Sequence, residues 1–230
     1  MFQKLFDLFV LSSVKDGETS YDLTTLGYGS VILLILLLLI VISIISGSGK
    51  KLSTKQLIFA STGMALATVT SFIKFGHLPF GGSITFFSMF FICYIGYLYG
   101  PKIGLLTGMA YGLLQFLIDP YLYHPMQILL DYPLAFGCLG LAGLFYKSKF
   151  GLLKGYLLGV FGRYVCHVIS GYVFFSSYAP KGMNPMLYTL SYNATYIVPE
   201  AIATVVLISL PPVLTGLLYV KKLATANYNM

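Results

Sequence analysis

Apolar residues along the 230-residue chain fall into seven long runs, separated by glycine, proline and charged residues. The runs cover approximately residues 26–46, 56–75, 84–99, 102–118, 126–146, 152–176 and 185–219. A helix needs about 20 apolar residues to cross the hydrocarbon core of a bilayer, and most of the runs approach or exceed that length. The two shorter runs, 84–99 and 102–118, predict a closely joined helical pair. The pattern therefore predicts an all-α integral membrane protein.

The first run is a nearly unbroken Leu/Ile stretch without a polar handle. The tail before it holds Asp16, Glu18 and Asp22, and no small-residue cleavage pattern follows it, so a retained helix is predicted instead of a cleaved signal peptide. The segment GSGKKLSTKQ (47–56) separates this helix from the rest in composition and charge. We expect three parts: residues 1–50, an N-terminal extracellular tail and one extra transmembrane helix; residues 51–222, a six-helix substrate-binding core; and residues 223–230, a cytoplasmic tail.

Composition narrows the class of protein further. The chain is 57% hydrophobic and 9% charged, with a mean hydropathy of +0.85, which excludes a soluble globular domain. Its net charge of +7 does not indicate a nucleic-acid partner, because the cations punctuate apolar runs and form no basic patch with aromatic residues. Cys93, Cys138 and Cys166 form no CxxC and fall inside predicted spans. They predict small packing residues, and neither a disulfide framework nor a metal site.

The lysines set the expected orientation, because loops rich in Lys and Arg stay in the cytoplasm. If the loop after the first span is inside, nine lysines lie inside: Lys50, Lys51, Lys55, Lys102, Lys147, Lys149, Lys154, Lys221 and Lys222. Lys74 and Lys181 then fall in or beside short outer loops, and Lys4 and Lys15 fall on the N-terminal tail. We therefore expect a multi-pass protein with its N-terminus outside and its C-terminus in the cytoplasm.

Four residues of the sixth run repeat at a spacing of four: Arg163, His167, Gly171 and Phe175. On a helix such residues drift by only about 40° per step and form one slanting stripe. An ionisable side chain in a span costs on the order of 3 kcal/mol on insertion scales, so it is a functional candidate by default. The alternative is structural: a snorkelling arginine, a histidine satisfied by a carbonyl, a glycine at a helix contact and a core phenylalanine.

Two acidic residues also lie inside apolar runs. Asp131, followed directly by Tyr132, would be neutralised there or would need a cation, and that cation is either Arg163 or a positively charged substrate. Glu200 lies deeper, and pairing with Arg163 or another helix is as good an expectation as contact with a ligand. Glu200 shares a helix face with Asn193, seven residues earlier.

Tyr188, like Asn193 and Glu200, interrupts the last apolar run. With the orientation above, six residues fall in the outer half of the membrane: Asp131, Tyr132, Gly171, Phe175, Tyr188 and Asn193. They predict one site that opens to the outside. Aromatic rings together with a carboxylate, a tyrosine and an asparagine suit a flat, cationic, nitrogen-rich small molecule.

Four ordered segments carry a family resemblance: LPFGGSITFFSM (78–89), HPMQILLDYPLAFGCLGLAG (124–143), GRYVCHVISGYVFFSSYAPKGMNP (162–185) and LYTLSYNATYIVPEA (187–201). They resemble the thiamine-specific substrate-binding component of energy-coupling-factor vitamin transporters, over about residues 52–222. The resemblance implies a six-helix protein of the bacterial cell membrane that captures thiamine from outside with high affinity. It also implies docking on a module of a transmembrane coupling protein and two ATPases, with no enzyme activity and no cofactor. The chain has no GxxxxGK[ST], so a partner must supply the energy.

The resemblance also implies the site. The family's acidic residue and tyrosine, which lie against the pyrimidine and hydroxyethyl ends of thiamine, fall on Asp131 and Tyr132. The other substrate-binding positions fall on Arg163, His167, Gly171, Phe175, Tyr188 and Asn193. This chain departs from the family at three points. The family stacks Trp on its ligand, whereas this chain has no Trp and has Phe175 at that place. This chain also has Asp131 where a Glu is expected, and it has an extra N-terminal span.

Two segments of the core have more than one interpretation. The loop KFGHLPFGGS (74–83) is predicted to be a lid that uses Phe80 as its apolar contact, and the alternative is a plain connecting loop. Gly63 and Ala67 form a small-xxx-small pair that is predicted to dock on the coupling protein, with intramolecular packing nearly as well supported.

Two other functions compete with this interpretation. The first is a stand-alone or proton-coupled carrier for a related cationic heterocycle or a thiamine precursor, using Asp131 or Glu200; such carriers often have inverted halves, and none are visible here. The second is a membrane enzyme with Asp131, His167 and Glu200 as acid/base groups. It lacks the paired acidic motifs that would hold Mg²⁺ near a diphosphate.

Overall fold

The structure is a computed structural model that describes residues 8–15, 18–27, 29–30, 33, 52–78 and 82–226. Its core consists of helices α1 (Thr54–Ser71), α2 (Ser88–Tyr99), α3 (Pro101–Ile118), α4 (Pro125–Phe145), α5 (Gly151–Phe175), α6 (Pro185–Ser209) and α7 (Pro211–Thr225). Two antiparallel hairpins accompany the helices: β1 (Val10–Lys15) with β2 (Glu18–Leu23), and β3 (Lys74–His77) with β4 (Ser83–Thr85).

Within the described ranges, four helices are long and apolar enough to cross a membrane. They are α3, α4, α6 and the segment Gly151–Tyr178, which is α5 with a short 3₁₀ extension. The shorter apolar α2 joins α3 directly at Gly100, as the two short runs predicted. Gly100 has a φ of 91°, which favours glycine, and Pro101 then starts α3 at a position where no backbone N–H is required.

The last apolar run is two helices and not one, which corrects the expected segment 185–219. The helix ends at Ser209, Leu210 is extended (φ −65°, ψ 128°), and α7 begins at Pro211. The residue before a proline disfavours the helical region, and two consecutive prolines remove two helical donors, so the break follows from the sequence.

The Lys55 ammonium, at the start of α1, donates to the carbonyl of Leu223 near the end of α7.

The predicted N-terminal helix over 26–46 lies largely outside the described residues. The described residues in this region, 25–27, 29–30 and 33, are helical. The β1–β2 hairpin before it was not predicted. Its register pairs Lys15 with Glu18, and the sequence between these two residues is Asp-Gly. Asp-Gly between two strands is a strong sequence signal for a two-residue hairpin turn, so the information was present in the sequence.

Close backbone contacts fix α4 between α3 and α5. A Cβ added at Gly140 in α4 would lie 2.1 Å from the carbonyl carbon of Gly104 in α3. On the other side, a Cβ at Gly155 in α5 would lie 2.5 Å from the carbonyl oxygen of Ala142. Glycine thus allows both neighbours to approach the α4 backbone, and the second half of α4 is held between them.

Candidate functional site

The candidate site is organised by an irregular turn in α4. Residues Leu130–Leu134 form a π-helical turn, in which the Ala135 N–H donates to the Leu130 carbonyl. Pro133 lies inside this turn and has no N–H to donate, which removes a regular helical hydrogen bond and favours a wider turn. Such π-turns occur frequently at functional sites. Asp131 and Tyr132 both lie in this turn.

Both carboxylate oxygens of Asp131 have protein partners. Oδ2 accepts from Gln127 Nε2 at 2.7 Å, and Oδ1 lies 3.0 Å from His167 Nδ1 in α5. Gln127 is 1% exposed, and its own Oε1 accepts from the Tyr123 N–H at 3.2 Å. The carboxylate is therefore held by one residue of α4 and one residue of α5. The loop before α4 in turn holds Gln127.

His167 lies between Asp131 and Arg163. Arg163 Nε donates to His167 Nε2 at 3.3 Å, so Nε2 is the acceptor and Nδ1 carries the proton that faces Asp131. The Arg163 guanidinium also lies 4.2 Å from the centre of the Phe136 ring. The expected pairing of Arg163 with Asp131 is thus made through the histidine, which lies within hydrogen-bond distance of both side chains.

Two adjoining cavities surround this chain of polar groups. The first lobe has a volume of about 50 Å³ and is lined by Asp131, His167, Ser170, Gly171, Phe175, Tyr188, Thr189, Tyr192, Asn193 and Tyr196. The second lobe has a volume of about 120 Å³ and shares Asp131, His167 and Tyr196 with the first. Its other walls include Tyr132, Arg163, Gln115, Gln127, Lys74, Asp119, Ser83 and Thr85.

The structure brings together eight of the nine predicted site residues. Asp131, His167, Gly171, Phe175, Tyr188 and Asn193 line the first lobe, and Tyr132 and Arg163 line the second. Phe80 lies outside the described residues. Gly171 is required by the packing, since an added Cβ would lie 2.5 Å from Thr189 Cγ2 in α6.

Three further residues of α6 that were not predicted from the sequence also line the first lobe: Thr189, Tyr192 and Tyr196. Tyr188, Tyr192 and Tyr196 form a ladder with ring centres 6.0 and 5.9 Å apart. Asn193 is 4% exposed; its amide donates to the carbonyls of Thr189 and His167, and its oxygen accepts from the Tyr196 hydroxyl at 2.6 Å. The four-residue spacing of the three tyrosines was a readable signal of the same kind as the α5 stripe.

Aromatic residues from the α3–α4 connection and from the short extension of α5 surround Phe175. The Phe175 ring centre lies 4.8 Å from that of Tyr123, 6.0 Å from Tyr121 and 6.2 Å from Tyr178. These rings hold Phe175 at the edge of the first lobe. The small face of one phenylalanine is thereby extended by its neighbours, although the chain has no Trp.

The β3–β4 hairpin covers the second lobe. Lys74, Gly82, Ser83 and Thr85 line it, and the Gly82 N–H donates to the Tyr192 hydroxyl at 3.2 Å. At the base of the hairpin, Lys74 Nζ lies 2.6 Å from Asp119 Oδ2. The described part of the predicted lid, residues 74–78 and 82–83, is therefore attached both to α6 and to the end of α3.

Glu200 binds a neighbouring element and lines neither lobe. It is 4% exposed and accepts from Thr85 Oγ1 at 2.6 Å, from the Met89 N–H at 3.1 Å and from Ser88 Oγ at 3.4 Å. A carboxylate at the N-terminus of α2 is favoured by the free N–H groups and the helix dipole. Of the alternatives for Glu200, the structure favours contact with another element, which joins β4, α2 and α6.

Gly63 and Ala67 are packed inside the molecule, which corrects the preferred interpretation of this pair as a docking face. Ala67 is fully buried, and a Cβ at Gly63 would lie 2.8 Å from Ile95 Cγ1 in α2. The small residues of α1 therefore allow α2 to approach.

Comparisons with known proteins agree with this architecture. A family model described as "Thiamine transporter protein" matches residues 57–219, which contain all four segments of the resemblance. Thiamine transporter ThiT of Bacillus subtilis (strain 168) is 41% identical over 147 residues, covering 58% of this chain and 76% of the relative. Thiamine transporter ThiT of Lacticaseibacillus paracasei is 31% identical over 133 residues, covering 50% and 66%.

A solved structure of ThiT from Listeria monocytogenes, obtained by native-SAD phasing, has the same fold. It matches with a TM-score of 0.57 at 24% identity, over 68% of this chain and 94% of the other. This match confirms the predicted all-α membrane fold.

Proposed function

The chain belongs to the thiamine transporter protein family, and we propose that it captures extracellular thiamine with high affinity and hands it over for ATP-driven uptake. In this proposal it is the substrate-binding subunit of an energy-coupling-factor transporter. The observation that carries the proposal is the first lobe, where a carboxylate, an imidazole, an asparagine and aromatic rings face one cavity. The chain transports and does not catalyse, as expected of a transporter family.

The chemistry of thiamine suits this lining. Its thiazolium ring is a flat cation, which the faces of Phe175 and Tyr188 and the charge of Asp131 would attract. Its aminopyrimidine offers amino donors and ring-nitrogen acceptors that match the polar groups of Asp131, His167 and Asn193. The hydroxyethyl arm would extend into the second lobe toward Tyr132. Few polar groups and several aromatic walls are typical of small-molecule sites.

Entry and release follow from the covering hairpin. In the predicted orientation the start of α4 and the end of α5 face outside, so the site opens to the outside and β3–β4 is its lid. Release of tightly bound ligand to the inside requires a state of the protein that has a lower affinity for it. A coupling partner would produce that state by disrupting the lid or the pocket. The transmembrane coupling protein and two ATPases of the family are the partners that this proposal requires.

Calorimetry on the purified full-length chain tests the ligand. We expect tight thiamine binding, and Asp131→Asn is expected to weaken it about tenfold or more because a charge-assisted contact is worth about 1.5–3 kcal/mol. Phe175→Ala is expected to weaken it by a comparable factor through the loss of ring contact. Phe161→Ala is the matched control, since Phe161 lies on the same helix and is 61% exposed. Absence of thiamine binding by the folded protein would overturn the proposed ligand.

Uptake into vesicles tests the energy source separately. We expect thiamine accumulation only when the coupling protein and the ATPases are present and ATP is supplied. Accumulation by vesicles that contain this chain alone, driven by a proton gradient, would instead favour the stand-alone carrier.

A further inference from the structure

The three cysteines of the chain are not equivalent. Cys93 in α2 is fully buried, whereas Cys138 in α4 and Cys166 in α5 are each partly exposed. The Sγ atoms of Cys138 and Cys166 lie 3.7 Å apart, although the two residues are 28 positions apart in the chain. The sequence predicted three separate packing residues, and the structure instead pairs two of them across a helix interface.

Helices α4 and α5 approach each other closely beside the two cysteines. A Cβ added at Gly162, one turn before Cys166, would lie 3.0 Å from Cys138 Cβ. One turn earlier still in α5, a Cβ at Gly159 would lie 2.8 Å from the Leu139 carbonyl oxygen. A disulfide needs sulfurs at about 2.05 Å and Cβ atoms at about 3.5–4.5 Å. The two sulfurs, now 3.7 Å apart, must therefore approach by roughly 1.7 Å, to which rotation of the two side chains contributes.

We infer that Cys138 and Cys166 form a modification site at which a membrane-permeant alkyl or lipid hydroperoxide creates a reversible disulfide between α4 and α5. One thiol attacks the peroxide, so that an S–O bond forms, the O–O bond breaks, the sulfur becomes a sulfenic acid and the peroxide leaves as an alcohol. The second thiol then attacks that sulfur; the S–S bond forms and water leaves. The two sulfurs together lose two electrons, which reduce the peroxide. A permeant dithiol reverses the reaction.

The position of the bond gives it a consequence for the site. Cys166 directly precedes His167, and Cys138 lies in the short helical piece Ala135–Leu139 that follows the π-turn of Asp131. The disulfide would hold that piece against α5, next to the 3.0 Å contact of Asp131 with His167. Movement of these two side chains apart is thereby restrained. This consequence, unlike the disulfide itself, rests on the proposed thiamine function.

The experiment treats the full-length protein in lipid vesicles with tert-butyl hydroperoxide and counts thiols by mass spectrometry under denaturing conditions. We expect the native chain to retain one free thiol, Cys93, and a peptide pair that contains Cys138 and Cys166 to be linked. Cys93→Ser is expected to form the same bond, whereas Cys138→Ser and Cys166→Ser are expected to form no intramolecular bond. A folded native protein that keeps all three thiols, or that links Cys93, would overturn the inference.

A second measurement tests the restraint. Bound thiamine is expected to dissociate at least threefold more slowly from the oxidised protein, and the original rate is expected to return after reduction. Cys138→Ser should show no response to the oxidant. An unchanged rate in a fully linked protein would overturn the restraint. Failure of reduced protein to bind thiamine would count against the proposed function alone, because the thiol count needs no ligand.

Discussion

At the scale of single residues, the site depends on a position that has no side chain. Gly171 lies at the contact of α5 with α6, where any side chain would meet Thr189. The same glycine lines the first lobe, so its lack of a side chain serves both the helix packing and the space for a ligand.

Gly171→Ala is predicted to destabilise the protein by about 1–3 kcal/mol, because the new methyl group must push α5 and α6 apart. Thermal unfolding in detergent measures the effect. Gly216→Ala in α7 is the matched control and is expected to be neutral or slightly stabilising, since nothing lies within 4 Å of its Cβ position. The double variant Gly171→Ala/Thr189→Ser removes the clashing methyl and should recover part of the loss. An unchanged unfolding temperature in Gly171→Ala would contradict the packing argument.

The sequence indicated site residues where polarity was exceptional. Arg163, His167 and Asp131 were found because an ionisable group in an apolar run has to be explained. Gln127 and Tyr196 were missed, since a glutamine and a tyrosine near a membrane surface are common and need no special partner. Their roles depend on which helix lies opposite, and one sequence does not specify that.

At the scale of elements, polar contacts join the β3–β4 hairpin, which is the proposed lid, to α6. The Gly82 N–H donates to the Tyr192 hydroxyl, and Thr85 donates to Glu200. Both acceptors lie on α6, which also carries Tyr188 and Asn193 of the first lobe. The hairpin and the ligand site therefore share one supporting helix.

Tyr192→Phe is predicted to speed thiamine dissociation about two- to tenfold, because it removes the hydrogen bond from the Gly82 N–H, worth about 0.5–1.5 kcal/mol, that holds the proposed lid closed. The ring contacts with Tyr188 and Tyr196 are retained. Stopped-flow dissociation from the loaded protein measures the rate. Tyr219→Phe, at a 62% exposed position in α7, is expected to leave it unchanged. Equal rates in the two variants would argue against the lid.

The elements could be predicted only where a local rule decides them. The α2–α3 pair was predicted from run length, Gly100–Pro101 agrees with it, and the break before α7 could have been predicted from Pro211 and Pro212. The π-turn of α4 was not predictable, because Pro133 is compatible with a kink, an end or a wider turn. The neighbouring helices α3 and α5 select among these outcomes.

At the scale of the whole molecule, hydropathy predicted the fold class because lipid contact imposes a long apolar run on every span. The distribution of lysines predicted an orientation, which remains a prediction. The arrangement of the helices around the two lobes was supplied by the family resemblance, since no periodicity in a single sequence tells which span lies beside which.

Cysteine labelling tests the orientation. In a background without Cys93, Cys138 and Cys166, Lys181→Cys is predicted to react with a membrane-impermeant maleimide in intact cells. Lys222→Cys is predicted to react only after the membrane is opened, because the positive-inside rule assigns the C-terminal lysines to the cytoplasm. The opposite labelling pattern would invert the proposed topology and move the site to the cytoplasmic face.

The contact of Lys55 with the Leu223 carbonyl brings the first and last helices of the core together. A short linker between residues 226 and 54 could therefore close the core into a ring, and the exposed turn between α4 and α5 lies on the same side of the membrane in the predicted topology. A circular permutant that begins at α5 and ends at α4 would keep every span in its direction. The order in which the helices are synthesised is thus separable from the pocket that they form.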